Sequence, residues 1–208
     1  MHTAHVIGRH TWGAAAPNVG GGREYKFHTT PGTGPGSSPA HTSAVPSNET
    51  TPLTGVLSWV TIHHSTDSPL NSFATAIALQ TKHFKDIGGT GPGADIGYDF
   101  IIDGNGNIYE GRPLGIKGSH VPKFNGGNVG IVMAGDFERP FQETPTADQL
   151  ASLNSLVDAL AARFGINSAW WHQERDKQAK ATKATDCPGS RLIPLLAPLR
   201  TKFPGPPP

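Results

Sequence analysis

Three places in the chain carry side chains that could hold a transition metal. The adjacent histidines His63 and His64 end a run of β-branched and aromatic residues, His172 follows two tryptophans, and Cys187 is the only cysteine. Two imidazoles and one thiolate are typical zinc ligands, and a set of three leaves a fourth position open, as in a catalytic zinc site. On the residues alone the alternative stays open that Cys187 is a small buried hydrophobe and His63 an ordinary strand-end histidine.

The hydrophobic pattern predicts the elements that would position these residues. In chain order it indicates a strand, a helix, a hairpin, a second strand and two helices, which is typical of an α/β sheet covered by helices. Thr146 and Gln149 have the spacing of a capping box, and Gly165 lies where that helix would end. The predicted bounds are 56–63 for the first strand, 71–84 for the first helix, 98–102 and 107–110 for the hairpin and 129–134 for the second strand, with helices from 146 and from 189.

Length and composition fit one domain with long loops. The chain has 208 residues, enough for one sizeable core, and it contains 26 glycines and 19 prolines. Residues 29–55 are almost entirely small or polar and predict an extended loop. We therefore divide the chain into an N-terminal segment of the domain at 1–28, a Gly/Pro-rich loop at 29–55, a core at 56–202 and a proline-rich, frayed tail at 203–208.

Charge and hydropathy exclude several classes of partner. With 17 basic and 16 acidic side chains the formal charge is +1, which gives no reason to expect nucleic acid as a partner. No apolar stretch approaches the ~20 residues of a membrane-spanning helix, so we expect no integral membrane segment. The first residues lack the pattern of a signal peptide, which predicts synthesis in the cytoplasm without one. A single cysteine excludes an intramolecular disulfide.

Four separated stretches of the chain stand out, at 9–14, 61–65, 95–112 and 186–189, and two shorter ones lie between them at 119–120 and 125–131. In this order they resemble one family, the peptidoglycan recognition proteins and phage-type zinc N-acetylmuramoyl-L-alanine amidases (amidase type 2). The resemblance implies a mixed central β-sheet flanked by helices, in a single domain with a long N-terminal Gly/Pro-rich loop. It also implies one zinc ion per chain at the floor of an open groove.

The resemblance assigns the metal ligands residue by residue. His63, His172 and Cys187 match the zinc ligands, and the cysteine distinguishes hydrolytic members from metal-free recognition members. Successive strand side chains point to opposite faces, so only one of His63 and His64 can face the metal. The match selects His63, with His64 packed or hydrogen-bonded behind it.

Further matches concern catalysis and the groove. Tyr98 corresponds to the tyrosine beside the attacking water in active amidases. Thr185 stands at the family position of the second catalytic group, two residues before the cysteine. The connection from residue 173 to residue 186 is longer than is usual in the family and also carries Lys183, so either Thr185 or Lys183 is the second catalytic group. The candidate substrate-binding residues are His83, His120, Asn125 and His64; for His83 and His120 an ordinary polar or capping role is the alternative.

The chemistry that this set predicts is amide hydrolysis. An amide carbonyl is a poor electrophile and its nitrogen a poor leaving group, and zinc can both polarise the carbonyl and lower the pKa of a water ligand to about 7. Tyr98 together with Thr185 or Lys183 would donate hydrogen bonds to the oxyanion. The expected substrate is the bond between the lactyl group of N-acetylmuramic acid and L-alanine in bacterial peptidoglycan.

Two rival functions and two routes of delivery follow from the same residues. A non-catalytic peptidoglycan-binding sensor would lack a metal ligand, and a structural zinc protein would need a fourth ligand such as His64 or Asp186. The amidase would act at the cell wall or in the periplasm, either as a phage endolysin with holin-dependent release or as an antibacterial effector. The effector would need a secretion machine and a cognate immunity protein.

Overall fold

A six-stranded mixed sheet forms the centre of the molecule. The computed structural model describes residues 5–18, 53, 55–67, 73–87, 91–138, 143–178 and 185–206. The strand order is β1-β4-β3-β5-β2-β6, and every pair is parallel except β3 with β4, which form the predicted hairpin. The strands are β1 Val6–Ile7, β2 Trp59–His64, β3 Phe100–Ile102, β4 Ile108–Glu110, β5 Asn128–Met133 and β6 Ser168–Trp171.

Helices cover both faces of the sheet, so the predicted mixed α/β architecture is confirmed. One core lies under α3 and the C-terminal helical segment, and a second core lies between the sheet and α1 and α2. In β2, Val60 and Ile62 face the first core. Side chains alternate along a strand, so His63, the next residue, points to the other face. The helical elements are α1 Arg9–Trp12, α2 Phe73–Lys85, α3 Ala147–Phe164, α4 His172–Gln178, a 3-10 turn at Ile193–Leu196 and α5 Ala197–Lys202.

The longest helix ends where its sequence predicts. The Thr146 hydroxyl accepts from the Gln149 backbone N–H at 3.0 Å, and the Gln149 side chain accepts from the Thr146 N–H at 3.1 Å, which completes the capping box. Gly165 takes a left-handed conformation at the C-terminus, with φ of 81°. The buried stripe of this helix, which includes Leu153, Leu156 and Leu160, packs on the sheet.

Leu53 of the predicted loop and residues 203–206 of the predicted tail belong to the folded domain. Leu53, within the predicted loop, is buried in the larger core, whereas residues 29–52 and 54 lie outside the described residues. The tail was expected to fray, yet Phe203 is buried and its carbonyl accepts from the Ala169 N–H at 3.1 Å. Residues 203–206 therefore cover the outer edge of β6.

A buried network of charged side chains ties the N-terminal segment to α2 and to the segments that flank the hairpin. Asp95 is fully buried and accepts from Gln80 Nε2 and from the backbone N–H of the next residue, each at 2.8 Å. Arg9 pairs with the same carboxylate at 3.0 Å. Arg112, also buried, donates to three backbone carbonyls, one of them that of Asp95. Each charged group of this network is thus paired with an opposite charge or with a hydrogen-bonding group of the protein.

None of the helices in the described part of the chain combines the length and the apolar character that a membrane crossing needs.

Candidate metal centre

The sheet register brings two of the predicted zinc ligands side by side. β2 and β6 are parallel with Ile62 opposite Trp171, so the next residues along each strand direction, His63 and His172, are neighbours. Their ring centroids are 4.7 Å apart. His172 is the first residue of α4, and it lies where β6 ends. The geometry therefore follows from pairing two parallel strands whose carboxyl ends meet at one edge.

Cys187 reaches the same point from the C-terminal loop. Its Sγ accepts from the His64 backbone N–H at 3.4 Å, and its carbonyl accepts from the Gln173 N–H at 2.8 Å, which holds the loop against β2 and α4. The candidate ligand atoms of His63, His172 and Cys187 all lie within 4.8 Å of one another. The structure thus brings together the three residues that the sequence singled out.

The two nitrogens of His63 face different partners. Nδ1 lies 3.6 Å from the Cys187 sulfur, and Nε2 lies 3.0 Å from His120 Nδ1. The His120 ring fits there because Gly130 has no side chain: a Cβ at that position would lie 2.6 Å from the ring. His63 can therefore present Nδ1 to a metal while Nε2 donates to His120, an outer contact that fixes the orientation of the ring.

Burial sets the protonation of the three candidate ligands. It lowers the pKa of His63 well below its ordinary value, and the neighbouring imidazoles lower it further. Burial also lowers the pKa of His172 and raises the pKa of the Cys187 thiol to about 12. The imidazoles are therefore neutral and able to coordinate, whereas the thiolate form of Cys187 needs a nearby cation. A set of two neutral imidazoles and one such sulfur fits Zn²⁺, and metal binding would release the thiol proton.

Neither alternative fourth ligand joins this set. His64 points away from the ligand cluster, where its Nδ1 accepts from the Phe137 N–H at 3.3 Å and lies 3.8 Å from Asp136. Asp186 is exposed. Within the described residues only His63, His172 and Cys187 form a metal-ligand group. Three protein ligands leave an open position, as catalytic zinc requires.

Two of the candidate ligands, His172 and Cys187, line a groove of about 560 Å³ that is walled by α2, α4 and the loops after β4 and before the 3-10 turn, while His63 is buried beside them. Tyr98 lies between two histidines, with its ring centroid 5.0 Å from that of His63 and 5.2 Å from that of His83. Burial raises the pKa of Tyr98 above its usual range, so the phenol keeps its proton and can donate a hydrogen bond. The groove lining includes the predicted residues His64, His83, Tyr98, His120, Asn125, His172, Thr185 and Cys187.

Thr185 is fixed beside the candidate ligands by two hydrogen bonds. Its hydroxyl oxygen accepts from the Cys187 N–H at 3.2 Å, and its own N–H donates to Asp176 Oδ2 at 3.0 Å. Since the hydroxyl oxygen already accepts, its hydrogen remains available for a group in the groove. Lys183, the other predicted second catalytic group, lies outside the described residues.

Two of the predicted substrate-binding residues also support the backbone around the groove. His83 Nδ1 accepts from the Gly97 N–H at 2.8 Å, which places the ring proton on Nε2, and burial lowers the pKa of His83 to about 4. Asn125 Oδ1 accepts from the N–H groups of His120 and Val121, at 3.0 and 2.9 Å. Both side chains line the groove, and their contact with substrate stays a prediction.

One groove residue was missed in the sequence. Asp176 lies on α4, with Oδ1 3.5 Å from His172 Nε2. The segment after His172 was interpreted as an inserted loop because the connection to Cys187 is longer than usual in the family, whereas His172–Gln178 forms α4. A signal was present nevertheless: a carboxylate four residues after a histidine falls on the same face if the segment is helical.

Comparison with known proteins identifies the family. A family model described as N-acetylmuramoyl-L-alanine amidase matches residues 53–190. Peptidoglycan-recognition protein SC2 of Drosophila melanogaster is 30% identical over 149 residues, which cover 68% of this chain and 73% of that protein. Peptidoglycan-recognition protein LB of the same organism is 33% identical over 145 residues, 67% of this chain and 57% of that protein.

Solved structures agree with this assignment. Wild-type Drosophila PGRP-LB superposes with a TM-score of 0.66 and 26% identity, over 94% of each chain. The N-acetylmuramoyl-L-alanine amidase LysC from Clostridium intestinale superposes with a TM-score of 0.57 and 27% identity, over 72% of this chain and 89% of LysC. The chain therefore belongs to the N-acetylmuramoyl-L-alanine amidase family that includes the peptidoglycan recognition proteins.

Proposed function

We propose that the protein is a zinc-dependent N-acetylmuramoyl-L-alanine amidase, which hydrolyses the amide bond between N-acetylmuramic acid and L-alanine in bacterial peptidoglycan. The observation that carries this proposal is the set of His63, His172 and Cys187, whose ligand atoms lie within 4.8 Å of one another. Two of the three line the groove together with Tyr98 and Thr185. Zinc held by these residues would supply Lewis acidity, which polarises a carbonyl and makes water nucleophilic at neutral pH.

The side chains around the cluster have the properties that amide hydrolysis needs. The Tyr98 phenol stays protonated because burial raises its pKa, so it can donate to the carbonyl oxygen as negative charge develops there. The Thr185 hydroxyl accepts from the Cys187 N–H, so its own hydrogen can serve as a second donor. The Tyr98 ring packs beside two histidines and Thr185 is held by two hydrogen bonds before substrate binds. Such preorganised donors stabilise a transition state more than flexible ones do.

The rival functions make different demands on the same cluster. A sensor without catalysis needs no metal, yet this chain keeps two imidazoles and a sulfur converging at the groove. A structural zinc site needs a fourth protein ligand, and within the described part of the chain the metal-ligand group contains only these three residues. Both observations favour the amidase.

The deciding experiment combines zinc content with hydrolysis of purified bacterial peptidoglycan. We expect one zinc per chain by elemental analysis, release of new L-alanine N-termini from the walls, loss of both after chelation and recovery of both on adding zinc. Cys187→Ala should lose zinc and hydrolysis, while the exposed-surface variant Asp158→Ala should keep them. A wild-type protein that binds walls and holds zinc but releases no N-termini would overturn the proposal.

A holin, a secretion machine or an immunity protein as partner stays a prediction of the sequence, as does action at the cell wall or in the periplasm.

A further inference from the structure

We propose that Asp176 is a positioning residue that links the metal centre to the catalytic donor Thr185. Its two carboxylate oxygens face different groups, one the imidazole of His172 and the other the backbone of Thr185. The inference rests on the proposed function, since it concerns how the amidase holds the metal ligand His172 and the donor Thr185 in position relative to each other.

The first contact follows from helix geometry. Residues four apart share one face of an α-helix, and α4 starts at His172, so Asp176 lies one turn along from the imidazole. Asp176 Oδ1 is 3.5 Å from His172 Nε2, and the carboxylate is only 14% exposed. A carboxylate beside Nε2 favours the tautomer with the proton on that nitrogen and leaves the lone pair on Nδ1 for a metal.

The second contact fixes the loop that carries Thr185. Asp176 Oδ2 accepts from the Thr185 N–H at 3.0 Å, across nine positions of sequence. Thr185 in turn accepts from the N–H of Cys187 at 3.2 Å. One carboxylate therefore connects a candidate ligand on α4, the donor Thr185 and, through it, the third ligand.

Asp176 acts beside the metal site and is not one of its ligands. Its oxygens lie outside the group formed by His63, His172 and Cys187, although the residue lines the same groove. A residue placed in this way affects the affinity for the metal through the orientation of His172 and affects turnover through the position of the Thr185 hydroxyl. These two effects can be separated.

Two substitutions separate them. Asp176→Asn keeps an oxygen that can accept from the Thr185 N–H but removes the charge that faces His172. Asp176→Ala removes both contacts. We expect each to weaken zinc affinity by about 10–100-fold, the usual cost of losing an outer partner of a ligand. In zinc-saturated protein, Asp176→Ala should lower kcat by about 10²-fold because the hydroxyl is misplaced, whereas Asp176→Asn should stay near wild type.

A third measurement does not depend on activity. Hydrogen exchange at the Thr185 amide, followed in metal-free and in zinc-loaded protein, should be faster in Asp176→Ala and close to wild type in Asp176→Asn. Matched controls are Asp158→Asn and Asp158→Ala, which remove an exposed carboxylate that pairs with Lys202 and does not line the groove. If Asp176→Ala does not fold, the zinc affinity of Asp176→Asn still decides the first contact, and the proposal stands or falls with it.

The outcomes are distinguishable from failure of the proposed function. A wild-type protein without zinc would overturn the proposed function and this inference with it. A zinc-loaded, active wild type whose Asp176→Asn variant binds zinc as tightly as Asp158→Asn would overturn the inference alone. Unchanged Thr185 exchange in a folded Asp176→Ala variant would do the same.

Discussion

Two buried polar regions of this molecule differ in how their groups are matched. Around Asp95, a carboxylate meets a guanidinium, an amide donor and a backbone N–H, so each donor faces an acceptor. At the metal centre, two imidazoles and a thiol face one another, and burial together with neighbouring imidazoles lowers the pKa of His63. The first region pairs its own groups, whereas the second gathers three groups that can each bind a metal ion.

The difference shows which kind of polar burial indicates function. Asp95 and Arg112 are as deeply buried as His63, so burial alone does not separate the two regions. Convergence of metal-ligand groups does, because imidazole nitrogens and a sulfur that meet at one point can bind a metal ion together. Substitutions in the first region should therefore lower stability, and substitutions in the second should lower activity.

The largest expected effect on stability comes from Asp95→Ala. Removing one partner of a buried ion pair typically costs about 3–5 kcal/mol, and here it takes an acceptor from Arg9, from Gln80 Nε2 and from the Ile96 N–H. Urea unfolding measures the free energy, and zinc content with hydrolysis rate per folded molecule should stay near wild type. Comparable stability of Asp95→Ala and the surface variant Asp158→Ala would show that the Asp95 network is not structural.

Local sequence signals predicted the long elements of the fold well. The strand before His63, the hairpin and the helix capped by Thr146 all form within a few residues of their predicted bounds. The two-residue strand β1, the four-residue helix α1 and the four-residue strand β6 are too short to give a period. They exist because partners elsewhere in the chain accept their hydrogen bonds, which a local pattern does not record.

The candidate site was likewise predicted only in part. The residues that match the family motifs were found, since their identity alone carries the chemistry. The contacts of His63 with His120 and of His172 with Asp176 were not, because they depend on how strands and α4 pack. His120 was predicted only to line the groove; the structure also places it 3.0 Å from His63.

Tyr98→Phe tests the metal centre, the second of the two regions compared, with the smallest chemical change. It removes one hydroxyl from a ring packed beside His63 and His83, so fold and zinc content should be unchanged. Loss of a donor to the oxyanion should lower turnover by about 10²–10³-fold. Binding to insoluble peptidoglycan should change much less. A zinc-replete variant that hydrolyses walls at the wild-type rate would remove Tyr98 from the mechanism.

Thr185→Val and Lys183→Met distinguish the two predicted second catalytic groups. The Thr185 hydroxyl lies beside Cys187 at the groove, so its removal should slow turnover by about 10²-fold. Lys183→Met should leave turnover near wild type if threonine is the donor. Steady-state rates on the same wall preparation, normalised to zinc, give the answer. The reverse order of the two rates would assign the role to Lys183.

The smallest effect is expected at His64, which differs from His63 by one position along β2. Its ring lies on the opposite face of the strand, where Nδ1 accepts from the Phe137 N–H at 3.3 Å. His64→Ala leaves that N–H without its acceptor, which should cost about 1–3 kcal/mol of stability. Zinc content should remain complete, because the ligand cluster of the described residues does not include His64. His63→Ala on the same strand should instead lose zinc. Loss of zinc in the His64 variant alone would reverse the assignment of the two histidines, and with it the orientation of β2 toward the groove.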